Sequence, residues 1–147
     1  MLGLVLSLAL AAPPLVDAVK AGDRAAVNRL IGEGVDVNGA EPDGTTALHW
    51  AAAQNDLELV QRLIRAGARA DARNAYGATP MSEAAVYGNA PMIRTLLEAG
   101  ADVESPNGEG QTALMLVART NRVDAARLLI ERGAKVDAHE QWKEQGD

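Results

Sequence analysis

Asp43-Gly44-Thr45-Thr46-Ala47-Leu48-His49-Trp50-Ala51-Ala52 decides how this chain folds, because the chain writes the phrase more than once. Tyr76-Gly77-Ala78-Thr79-Pro80-Met81-Ser82-Glu83-Ala84-Ala85 follows 33 residues later, and Glu109-Gly110-Gln111-Thr112-Ala113-Leu114-Met115-Leu116-Val117-Ala118 another 33 on. A fixed period in this range signals a stacked array in which each unit buries its apolar face against its neighbours.

Working outward, the punctuation keeps the same beat. Gly22, Asn55, Gly88 and Asn121 stand 33 apart, as do Gly34, Gly67, Gly100 and Gly133 about a dozen residues after them. Glycine and asparagine best tolerate the left-handed conformation that ends a helix. Between these stops the apolar positions recur at helical spacing: Val27, Leu30 and Ile31; Val60, Leu63 and Ile64; Ile93, Leu96 and Leu97; Ala126, Leu129 and Ile130. Each unit therefore reads as a short helix, a tight turn, a second short helix and a glycine stop. Segments such as Val35-Asp36-Val37-Asn38 and Ala101-Asp102-Val103-Glu104 then alternate apolar with polar residues, which suits an extended stretch packed on one side. Turn residues at Pro42-Asp43-Gly44 and Pro106-Asn107-Gly108 close hairpin-like fingers that lead into the next first helix.

Composition narrows the partner. The chain of 147 residues is long enough for one domain, and nearly half of it is apolar, yet it holds no Phe, two Trp and two Tyr. An Ala, Leu, Val and Ile core suits closely packed small helices and suits an aromatic-lined pocket poorly. A formal charge of −6 leaves no basic footprint for nucleic acid, and no Lys or Arg run faces an anionic membrane. With no Cys, disulfides, thiol nucleophiles and thiolate metal sites are excluded, and the redox compartment stays open.

The ends carry their own signals. The uncharged run at 1–12, with Ala9-Leu10-Ala11, is too short to span a bilayer and looks like a secretory leader cleaved after Ala11; it lacks a Lys or Arg ahead of the apolar stretch. The other reading is an apolar strand or helix covering the first repeat. Export would place the protein in the periplasm or outside the cell, its absence in the cytoplasm. Pro13-Pro14 then opens the first helix, and Asp23, Arg24, Asn28 and Arg29 give it the polar outside of a cap. The far end looks uncapped. Ala113 to Ala118 is the most apolar first helix, and Trp142-Lys143-Glu144-Gln145 sits where a fifth repeat would begin. Either the array continues beyond this chain or another molecule covers that end.

At these residues the chain resembles ankyrin repeats, whose pattern combines a Gly-x-Thr-Pro-Leu-His-x-Ala-Ala first helix, a Val-x-x-Leu-Leu second helix and a Gly-Ala-Asp-Val-Asn loop. Gly44 to Ala52, Val60 to Ile64 and Gly100-Ala101-Asp102-Val103 match it, and the likeness runs from Leu15 to about Gln141. The resemblance implies an all-α ankyrin-repeat solenoid of four helix-turn-helix repeats, at about 13–42, 43–75, 76–108 and 109–141, with short β-hairpin-like fingers and a tail at 142–147. Only Pro80 keeps the family's proline and only His49 its histidine; Ser82 and Met115 stand in that place in the next two units. There the resemblance implies loss of the bonds that the imidazole makes to nearby backbone.

No catalytic constellation emerges. His49 occupies the family's structural position without a nucleophile or co-ligand beside it, and His139 with Glu140 and Asp137 reads as a solvated loop. Ser82 and Ser105 lack a companion His or Asp, and the glycines are helix stops that make no phosphate cradle. No cofactor or metal is called for. In proteins resembling this one, the concave surface lined by the first helices and fingers grips a partner protein. The corresponding candidates here are Asp43, Thr45, Tyr76, Ala78, Glu109 and Gln111 on the fingers, with Gln54, Tyr87 and Arg119 at the helix ends. Tyr76, Tyr87 and Arg119 are the residue types that most often anchor an interface. The competing roles are packing of Tyr87 on a neighbouring helix and of Tyr76 on its own finger. Trp50 aligns with Asp17, Glu83 and Leu116; beside Glu83 it is either a half-exposed patch or, preferably, a side chain packed between helices.

Overall fold

The computed structural model describes residues 12–137. The expectations for the leader at 1–11, for His139 and for Trp142 lie outside them. Among the described residues there are eight helices and no strand: α1 (Pro14–Ala21), α2 (Arg24–Gly32), α3 (Ala47–Ala53), α4 (Leu57–Arg65), α5 (Pro80–Ala85), α6 (Ala90–Glu98), α7 (Ala113–Ala118) and α8 (Val123–Glu131). Each odd-numbered helix packs on the even-numbered helix that follows it, and the other main helix contacts join neighbouring repeats. This is the all-α solenoid that the period predicts.

Both helices of a repeat are started by periodic caps. Thr46, Thr79 and Thr112 precede α3, α5 and α7, and each hydroxyl accepts a backbone N–H from the third residue of its helix. Asp23, Asp56 and Asn89 do the same for α2, α4 and α6. The two ends break the rule: α1 follows Pro13 and α8 follows Arg122, neither with a side-chain cap. The predicted stops are also in place, Gly22, Asn55, Gly88 and Asn121 having φ of 69°, 57°, 61° and 57°.

The core is one continuous seam of small and branched side chains, with Leu48, Val60, Leu63, Met81, Ile93, Leu96 and Leu129 among its buried members. Alanines at 51, 52, 84 and 85 let α3 and α5 approach closely. In the extended segments Val37, Ala68 and Ala70 are the buried alternates, as the pattern requires.

Each finger is a tight turn without a true strand. Gly44, Gly77 and Gly110 return N–H bonds of 2.8, 3.0 and 3.0 Å to the carbonyls of Glu41, Asn74 and Asn107. Glu41, Asn74 and Asn107 in turn donate to Thr45, Ala78 and Gln111, which closes a three-residue hairpin ending on a left-handed glycine. Successive fingers are tied to one another: Ala75 N–H reaches the Asp43 carbonyl at 2.7 Å, and Asn74 Nδ2 donates to Thr45 Oγ1 at 3.1 Å. Gly77, at φ 78°, lies so close to the next finger that a Cβ there would meet Gly108 Cα at 2.7 Å.

The histidine position needs a correction. Thr46 N–H donates to His49 Nδ1 at 3.1 Å; a backbone N–H can only donate, so Nδ1 carries no proton and Nε2 donates to the Ala78 carbonyl at 3.0 Å. Ser82 does not lose all of this. Its Oγ accepts Thr79 N–H at 2.9 Å and its own N–H bonds Thr79 Oγ1 at 3.1 Å, so the reciprocal cap survives. What the short side chain gives up is the reach to the following finger. Met115 keeps only the bond from its N–H to Thr112 Oγ1.

Candidate functional site

The fingers and the α3, α5 and α7 side of the array line one groove, built in steps of one repeat. At the first step Trp50 is half-buried and packed on the core, and its Nε1 donates to Glu41 Oε1 at 2.7 Å. Lys20 completes the group: its Nζ lies 5.0 Å from the Trp50 ring centroid and 3.4 Å from the same carboxylate. Carboxylate, ring and cation are all supplied by the chain, so this step is closed. The packing role expected of Trp50 and its partial exposure are both present.

The second step is open. Glu83 replaces Trp50 in register, and Ala53 and Val86 occupy the places equivalent to Lys20. One recess beside Glu83 is lined by Thr45, His49, Trp50, Ala53 and Asn74. A second recess, on its other side, is lined by Tyr76, Val86, Asn107, Glu109 and Leu116 among others. The Glu83 side chain is half-buried and has no hydrogen bond or ion pair among the described residues. Burial pushes its carboxyl above the usual value.

The residues named from sequence divide between this groove and the framework behind it. Tyr76, 74% exposed, stands at the tip of the second finger. Tyr87 is 43% exposed, and its hydroxyl donates to the Ala53 carbonyl at 2.6 Å, so it serves the packing role and still offers a ring face. Glu109 and Arg119 are exposed, and Arg119 has no side-chain partner among the described residues. Gln54, also exposed, reaches back to the Val19 carbonyl at 2.9 Å. Asp43 accepts Thr45 N–H at 2.9 Å, a bond that holds its carboxyl below the usual value. Ala78 is half-buried and spends its carbonyl on His49.

Thr45 and Gln111 differ from the surface roles expected of them. Both are buried at 8% exposure, and at Thr45 the cause is the next finger, whose Asn74 Nδ2 donates to its hydroxyl. Glu83 was legible only as a neighbour of Trp50; the signal that isolates it is the change from Lys20 to Ala53 and Val86 at the position that would neutralise it. A further cleft between α1, α2 and α4 has its polar groups already paired, Arg24 with Asp56 at 3.3 Å and Arg62 with Asn28. Among the described residues no group of three or more His, Asp or Glu is placed to hold a metal ion, and no helix is long and apolar enough to cross a membrane.

Comparison with known families agrees with the geometry. A family model described as ankyrin repeats (3 copies) matches residues 15–107, and one described as ankyrin repeats (many copies) matches residues 96–142. No curated protein matches the chain.

Proposed function

Since the chain belongs to the ankyrin-repeat family, whose repeats are generally protein–protein interaction modules, we propose that it is a non-catalytic scaffold or regulator that binds a partner protein on its concave face and fingers. The observation that carries the reading is the exposure of Tyr76 and Val86 in one recess of the groove, with Tyr87 exposed next to Val86 in sequence and bonds running from repeat to repeat behind them. Aromatic and arginine side chains at such positions carry a large share of interface energy. Affinity capture from the source cells, with a Tyr76→Ala, Arg119→Ala variant as control, tests it. The expected result is a captured protein whose affinity falls about tenfold or more in the variant while its melting temperature changes little. Failure to capture any protein in a way that depends on these residues sinks the concave-face reading.

A second reading is supported by the last repeat. Val37 and Ala70 are buried, whereas Val136 in the same register is 73% exposed, and Ile130 is exposed where Ile31, Ile64 and Leu97 are packed on the core. In this reading that end of the array docks on a larger domain. Adding one designed repeat with a polar outer face after the fourth would then raise solubility without creating affinity for a separate partner. Unchanged solubility of the extended protein counts against it.

A further inference from the structure

Resting on the concave-face reading, we propose that the groove takes a peptide segment of the partner that sets a lysine or arginine side chain against Glu83, with apolar neighbours against Tyr76, Val86 and Leu116. The first step of the groove displays the arrangement that the second lacks. There Glu41 and Trp50 are satisfied by Lys20 from the chain itself, at 3.4 Å from the carboxylate and 5.0 Å from the ring centroid. One repeat on, Ala53 takes the register position of Lys20, and the recess it leaves is walled by Trp50 and Glu83. Glu83 also borders the recess that Tyr76, Val86 and Leu116 line together with Asn107 and Glu109, so a single segment with mixed apolar and polar side chains can fill both.

Charge complementarity selects a cation. The overall charge is −6, and Glu109 at the rim is exposed. Glu83 bears an unmatched charge in a half-buried place, which an isolated domain gains nothing from keeping; desolvation already works against its ionised form. A partner's ammonium or guanidinium supplies the missing counter-charge and, beside the Trp50 face, the same cation–aromatic contact that Lys20 makes.

The probe is a random dodecapeptide library displayed on phage and selected on the immobilised full-length chain. Enriched peptides are expected to share a Lys or Arg with apolar neighbours, and to bind Glu83→Gln about tenfold more weakly. Glu83→Lys is expected to recover binding when the shared basic residue is changed to Glu. The melting temperature of Glu83→Gln must not fall, because the change removes a desolvated charge from the free protein; a lost fold would show there. Peptides that need Tyr76, Tyr87 or Arg119 yet ignore both Glu83 changes overturn the inference and leave the concave-face reading standing. Peptides indifferent to every groove substitution, or no enrichment at all, overturn both.

Discussion

His49→Ala is expected to lower stability by about 3 kcal/mol, a fall of roughly 10 °C in melting temperature for a domain of this size. The side chain is 2% exposed and links two repeats: Nδ1 receives Thr46 N–H and Nε2 donates to the Ala78 carbonyl. Truncation leaves the Thr46 N–H buried without a partner, at about 1–3 kcal/mol, takes from the Ala78 carbonyl one of its two donors, and opens a cavity in a fully buried place. Met115→Ala, at the same register in the last repeat, is expected to cost much less, because Met115 is only half-buried and bridges to no finger among the described residues.

The same histidine predicts a pH signature. Burial lowers its pKa from the ordinary 6.5, so the unfolded chain takes up a proton that the folded chain resists. Stability is therefore fully present above about pH 6.5 and declines as pH falls from there toward the lower folded-state value. Glu83 has the opposite sign: its carboxyl is raised above 4.5, so folding gains stability as pH falls toward that value. The readout is the difference between the parent protein and His49→Ala, in which Glu83 cancels. That difference should shrink as pH drops from 7.5 to 5.5, followed by thermal or urea unfolding at each pH. A pH-independent difference overturns the assignment of a neutral, buried imidazole.

Leu63→Ala should cost about 3 kcal/mol and also change how the protein unfolds. Leu63 is fully buried in α4, in the middle of the array, where α3 and α6 both pack against its helix. Stability in such an array is a sum of repeat terms and nearest-neighbour interfaces, so weakening a central interface uncouples the two halves. Urea unfolding of the variant is expected to show a lower apparent m value or two resolved steps, where the parent shows one. A single transition with unchanged m would mean that the four repeats behave as one cooperative globule and do not couple only in sequence.

The framework was readable because one physical requirement recurs at every 33rd residue. A left-handed stop, a side-chain cap and a buried Leu or Ile each depend on local geometry, so Gly22 to Asn121, Thr46 to Thr112 and Val60 with Leu63 announce themselves. The groove was harder to read, because its chemistry depends on how one repeat faces the next. Thr45 looks like a polar finger residue until the neighbouring finger is stacked on it. Ser82 looks like a lost histidine, yet the shorter hydroxyl serves the local half of the cap. Glu83 becomes distinctive only once Lys20 is seen to satisfy Glu41 and its successors Ala53 and Val86 are seen to satisfy nothing. Local rules repeat along a chain; unmatched charge is a property of pairs.

The bonds that cross between repeats have one further consequence, for how such a protein changes over generations. His49 to Ala78, Asn74 to Thr45, Tyr87 to Ala53 and Arg24 to Asp56 join residues 29, 29, 34 and 32 positions apart. Each therefore ties a unit to the equivalent place in the next. Deleting one whole period of the gene would bring the Gln111 carbonyl to where the Ala78 carbonyl was, with the caps intact on both sides of the joint. A deletion that is not a whole number of periods would misalign the seams that span it. Duplication and loss in whole units is thus the route by which the groove can grow or shorten, while point changes at positions such as 53, 83 and 86 alter what it holds.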